Sequence, residues 1–174
     1  MRKMMVAVAA FAVGLTLPAN AASAMVLGPE AARCTSGQGP ALLVRVTGFK
    51  NRAGTVRVRS FPGATPAAWF DRKRAMKRHL VALPDGGPVE ICVAVPRPGP
   101  YVIDVRHDIN GNGDSDRADG AGVSGNPNVS VFDFFVGKKP PASIVVINAG
   151  SGITVVPITM KYIQGGAFKP VRAG

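Results

Sequence analysis

A chain of 174 residues with 47% hydrophobic side chains, two cysteines and a net charge of +11 is neither a disordered polar tail nor a many-domain assembly. It has enough apolar material for one domain with a real core. The positive excess favours anionic partners such as acidic polysaccharide, lipid headgroups or nucleic acid, and it also keeps a small exported protein dissolved.

Residues 1–24 read as a secretory signal: Arg2 and Lys3, an apolar run from Met4 to Leu17, then "PANAASA" with small-residue cleavage sites after Ala21 or Ala24. The run is too short to span a bilayer comfortably, and no later segment approaches the length needed. A periplasmic or secreted chain with no transmembrane segment after cleavage is expected, and removal of Arg2 and Lys3 lowers the net charge from +11 to +9. Residues 25–40 form an N-terminal segment that a disulfide, Cys34 to Cys92, ties to a mid-chain strand. In the chain-entropy picture such a loop stabilises by roughly 4 kcal/mol.

Residues 41–163 are read as the folded domain, and period-two alternation dominates them. "ALLVRVTGF" and "TVRVRSF" are read as a hairpin with Leu42, Val44, Val46, Val56 and Val58 buried and Arg45, Arg57 and Arg59 on a basic face. Residues 66–80, "PAAWFDRKRAMKRHL", are predicted helical, with Trp69, Phe70, Met76 and Leu80 sharing a face. "PVEICVAVP" and "PGPYVIDVRHD" are strands, with Val89, Ile91, Val93 and Val95, and then Tyr101, Ile103 and Val105, on their apolar sides. "VFDFFVG" is a shorter strand candidate, and "ASIVVIN" with "ITVVPITMKY" a second hairpin whose Pro157 marks an edge or a bulge. Residues 164–174 are read as a flexible tail. About seven strands with one short helical segment predict an all-β, antiparallel β-sandwich of immunoglobulin or transthyretin-like type.

The densest chemistry lies at 106–120, "RHDINGNGDSDRADG". Counted from Asp108, oxygen side chains Asp108, Asn110, Asn112, Asp116 and Asp119 stand at positions 1, 3, 5, 9 and 12, with Gly113 at position 6 and Asp114 supplying a backbone carbonyl at position 7. That is the spacing of an EF-hand-type calcium loop, in which alternate side chains turn inward around an ion that takes six to eight oxygens. Asp119 replaces the usual longer glutamate, and the flanks are a strand and a glycine-rich loop, so weaker Ca2+ binding is expected than in a sensor. The same residue types also suit a metal-free turn.

A second candidate surface is basic: Arg45, Arg57 and Arg59 with Arg72, Lys73, Arg74, Lys77 and Arg78, expected to meet a polyanion if it is more than a solvated face. Only Trp69 and Phe70 lie close enough to stack on bases, and no specific nucleic-acid motif is present. "GAGVSG" matches G-x-G-x-x-G, but an acidic loop precedes it and Pro127 follows, the wrong setting for a dinucleotide turn. His107, Asp108 and Ser124 lack the framing of a hydrolytic site, and His107 continues the buried face of its strand.

"PGPYVIDVRHDINGNGDSDR", "GVSGNP" and "VFDFFV" together resemble the exported bacterial family of domain of unknown function 2141 over about residues 41–163. The resemblance implies a secreted or periplasmic β-sandwich. The resulting expectation is a non-enzymatic envelope binding or accessory module whose acidic loop is held by calcium and whose expected partner is an anionic envelope component. The alternative is a polyanion-binding protein.

Overall fold

Each strand of the molecule has one side that must leave water, and two such sides meet. The computed structural model describes residues 25–171. The signal segment expected at 1–24 lies outside the described residues. In chain order the elements are β1 (Val26–Leu27), α1 (Ala31–Thr35), β2 (Ala41–Thr47), β3 (Thr55–Pro62), β4 (Lys77–Ala82), β5 (Val89–Ala94), β6 (Gly99–Asp108) and β7 (Gly120–Val123). Then follow α2 (Val131–Phe135), α3 (Ala142–Val145), β8 (Ile147–Ala149), β9 (Ile153–Thr159), β10 (Lys161–Gln164) and β11 (Ala167–Pro170).

Four strands in the order β1-β5-β2-β9 form one sheet. Seven form the other, in the order β11-β10-β7-β6-β3-β4, with β8 also paired to β6. Leu42, Val44, Val46, Ile91, Val93, Val156 and Ile158 from the first sheet pack against Val56, Val58, Tyr101, Ile103, Val105 and Tyr162 from the second. The fold is thus a two-sheet, all-β sandwich. The seven-stranded sheet is antiparallel throughout, whereas β1 with β5 and β2 with β9 are parallel pairs. The disulfide joins Cys34 to Cys92 with Cα atoms 5.9 Å apart, fixing α1 to β5. Among the described residues no helix is long and apolar enough to cross a membrane.

Several expected local structures differ. β2 and β3 are not a hairpin: β2 pairs with β5 and β9, β3 with β4 and β6. Their valines still face one another, but across the core. Alternation fixes which side of a strand is buried and leaves its pairing partner open. The second expected hairpin fails in the same way, because β8 joins β6 and β9 runs beside β2 at the sheet edge. Pro157 does sit on that edge strand.

The helix expected at 66–80 is instead a short 3-10 turn, Pro66–Ala68, followed by β4. Phe70 takes a left-handed φ of 67°, which a helix does not tolerate, and β4 satisfies the free backbone edge of β3. "VFDFFVG" forms α2 rather than a strand. Its start is capped: Ser130 Oγ accepts from Asp133 N at 2.9 Å and lies 2.8 Å from Asp133 Oδ2. The first bond is that of an N-capping serine, and in the second the hydroxyl donates to the Asp133 carboxylate. The segment expected to trail loosely from residue 164 supplies β11, paired along β10.

Candidate functional site

Alternation on β3 and β6 sends Val56, Val58, Ile103 and Val105 inward. It sends Arg57, Arg59, Phe61, Val102, Asp104 and Arg106 to the opposite, outer face. That face is covered as well. Phe61 and Val102 lie under Trp69 and Val145 in a second apolar cluster, and Trp69 Nε1 donates to the Pro62 carbonyl at 3.0 Å. Beside this cluster the charged side chains floor a cavity of about 690 Å³. Its walls come from the 66–72 turn, the acidic loop and the segment around α2. Arg57, Arg59, Asp104 and Arg106 are 7%, 6%, 8% and 9% exposed.

The floor is electrically unbalanced. Arg59 donates through Nε to both Asp104 oxygens, at 2.9 and 3.1 Å, and through Nη2 to Oδ2. Arg106 donates through Nη2 to Asp108 Oδ2 at 3.0 Å and through Nη1 to Ser115 Oγ at 2.5 Å. Arg57 makes no hydrogen bond within the described residues, and its Nε is buried without a partner, as are Arg59 Nη1 and Arg106 Nε. Arg57 also stands directly opposite Arg106 in the strand register, where like charges repel. Burial, then the guanidiniums of Arg59 and Arg106, push Arg57 down to about 10, which leaves it charged at neutral pH.

The acidic loop forms one wall. Gly113, with φ +83°, makes the expected sharp turn and donates to Asp108 Oδ2 at 2.8 Å. The side chains of Asn110, Asn112 and Asp116 each accept the backbone N–H two residues on. Asp119, buried at 6% exposure, accepts from Ile109 N and Asp116 N. Asp108 Oδ1 is buried without a hydrogen-bond partner. Among the described residues no three His, Cys, Asp or Glu side chains converge as a metal-holding group.

The basic residues do not form one continuous face. Arg45 lies on the other sheet, bonded to Glu90 at 2.7 Å, while Arg57 and Arg59 are buried. Lys77 Nζ reaches Glu30 at 2.7 Å, Arg74 pairs with Asp71, and Arg72, Lys73 and Arg78 are exposed.

His107 and Asp108 leave β6 on opposite faces. His107 is 0% exposed, with Nε2 2.7 Å from the Ala53 carbonyl and Nδ1 2.7 Å from Tyr162 Oη. Since a carbonyl only accepts, Nε2 carries the proton and Tyr162 donates to Nδ1. Ser124 Oγ donates to the Val145 carbonyl at 2.5 Å and accepts from Ile103 N. Both residues are fastened into the fabric.

The "GAGVSG" glycines have packing reasons. A Cβ on Gly120 would lie 2.6 Å from the Tyr162 ring, one on Gly122 2.5 Å from Ile158, and one on Gly125 1.8 Å from the Ile144 carbonyl.

Sequence reasoning missed Asp104 and Arg106 as site residues, together with Asn126. Asn126 Oδ1 accepts from Thr159 N at 2.8 Å and its Nδ2 donates to the Pro157 carbonyl at 3.3 Å, tying the β7 exit to β9. The strand pattern did place Asp104 and Arg106 on the polar side of β6; the signal available was a charged residue at each of two alternate positions facing Arg57 and Arg59.

No curated protein and no solved structure matches the chain. A family model described as "Uncharacterized protein conserved in bacteria (DUF2141)" matches residues 44–153. That stretch is well over half of the chain and contains both floor strands, the acidic loop and α2, so the chain belongs to this family.

Proposed function

We propose that the protein is an exported, non-enzymatic binding module whose ligand enters the cavity on the outer face of the seven-stranded sheet. One observation carries this reading: buried charged residues floor a cavity of about 690 Å³, within the size range of small-molecule sites. The disulfide and the signal-like first 24 residues support export to the periplasm or beyond. The non-enzymatic character is supported by His107 and Ser124, whose reactive atoms are committed to structural hydrogen bonds.

The test is a neutral fluorescent reporter, N-phenyl-1-naphthylamine, titrated into the protein and into Ala121→Trp. Ala121 sits between Arg106 and Lys161 in the register and lines the cavity. The reporter should brighten with the wild type and not with the variant. Equal response, or none, contradicts the reading.

A second reading concerns the wall. The partnerless Asp108 Oδ1 favours calcium as the agent that orders residues 108–119, and through them the cavity mouth. The melting temperature should then be higher in calcium than in chelator for the wild type and equal in the two for Asp108→Ala. Identical melting of the wild type in both removes calcium from the account.

A further inference from the structure

The cavity reading leaves the ligand's chemistry open, and the floor narrows it. Two carboxylates and three guanidiniums meet there: Asp104 is taken by Arg59 and Asp108 by Arg106, which leaves Arg57 over. An unpaired buried cation is costly, and so are buried N–H groups without acceptors. Arg57 Nε, Arg59 Nη1 and Arg106 Nε are such buried donors, and the three arginines that carry them line the cavity from neighbouring strands in register. An anionic group in the cavity supplies the charge that the three arginines together lack, and guanidinium forks suit carboxylate and phosphate oxygens.

The cavity is far larger than such a headgroup alone needs. Part of its remaining lining is apolar, with Trp69, Phe70, Val129, Phe135, Ile163 and Phe168 beside the charged floor. The acids of the walls are largely engaged: Asp71 with Arg74, Asp116 with Asn110, and Asp119 with two backbone N–H groups. With Arg72, Arg117, Lys138 and Lys139 the lining carries seven cationic residues against five carboxylates, Asp71, Asp104, Asp114, Asp116 and Asp119, a modest positive excess, although Lys138 is itself paired with Asp133.

Resting on that cavity reading, we propose that the site takes an organic oxyanion, a carboxylate or phosphate head on an apolar body, with the head seated on Arg57 between Arg59 and Arg106.

The experiment is competition against N-phenyl-1-naphthylamine in the wild type and in Arg57→Met, with Arg57→Gln as a second variant. The competitors are decanoate, decyl phosphate, decanol and inorganic phosphate, each below any micellar concentration. Trp69, the one tryptophan of the chain, lines the cavity and gives an independent fluorescence signal. Decanoate and decyl phosphate should displace the reporter from the wild type far better than decanol or inorganic phosphate. Both variants should keep the circular dichroism of the wild type, which shows that they are folded, while decanoate, read by Trp69 fluorescence as well as by reporter displacement, should bind at least ~30-fold more weakly, the scale of a lost buried charge pair. Whichever of decanoate and decyl phosphate competes more strongly identifies the head.

Decanol competing as well as decanoate, or decanoate unaffected by both substitutions, overturns the oxyanion assignment and leaves the cavity reading standing. Inorganic phosphate competing as well as decyl phosphate overturns the apolar body. A reporter that never binds overturns the cavity reading itself.

Discussion

The seven-stranded sheet buries both of its faces, in opposite chemical styles. On the inner face Val56, Val58, Ile103 and Val105 meet the other sheet's apolar side chains, and the fully buried His107 has both ring nitrogens engaged. On the outer face, alternate residues of the same two strands put three arginines under loops, one of them without a partner. The inner face stabilises the fold. The outer one holds charges that cost stability, and a cost kept at an open cavity is the mark of a site rather than of a core.

Substitutions on the two faces should therefore behave differently. The largest loss is expected on the charged face from Asp104→Asn, which strips Arg59 of its carboxylate beside the already unmatched Arg57 and should cost ~3–5 kcal/mol. On the apolar face Ile103→Ala opens a cavity between the sheets and should cost ~2–5 kcal/mol. Urea unfolding measures both. A negligible loss for Asp104→Asn would mean that solvent reaches the outer face freely, and the contrast between the faces would collapse.

Arg57→Met should go the other way, raising stability by about 1–3 kcal/mol in anion-free buffer, because an apolar side chain replaces an unpaired buried charge. A loss as large as that of Ile103→Ala would make Arg57 an ordinary structural residue.

The smallest effect lies away from both faces, at Glu30. Against the opposing effect of burial, hydrogen bonds from Lys77, the Ala94 N–H and His79 hold the Glu30 carboxyl below its ordinary 4.5. A depressed carboxylate contributes stability above its unfolded pKa and loses it as pH falls through the folded one. Below about pH 4.5 the wild type should therefore lose more stability than Glu30→Gln, a difference of ~1 kcal/mol that acid titration of the melting curve would reveal. Parallel curves would mean that the N-terminal segment adds nothing through this residue.

Much of the fold was legible because alternation reports burial directly. Leu42, Val44, Val46, Val56 and Val58 were expected inside and are inside, and the Cys34–Cys92 bridge followed from two cysteines in a chain read as exported. Pairing was not legible, since the partner of β3 is decided by sheet closure and not by its own residues. α2 was misread as a strand although Ser130-x-x-Asp133 carries a capping signature. The site was half legible. Arg57 and Arg59 stood out as a basic face, but their burial depends on the 66–72 turn, the 109–119 loop and the segment around α2, which are remote in sequence. Charge on a strand's polar side looks the same whether water or a loop lies over it.

The central claim is that Arg57 is held uncompensated for an anionic ligand, and one comparison tests it directly: the unfolding free energies of the wild type and Arg57→Met, each with and without decanoate. Without the anion, Arg57→Met should be the more stable. With decanoate at a hundred times its dissociation constant for the wild type, the wild type should gain about 2.7 kcal/mol and Arg57→Met, binding ~30-fold more weakly, at most about 0.9 kcal/mol, narrowing or reversing the gap. Equal gains in both proteins, or no gain in either, would contradict the claim.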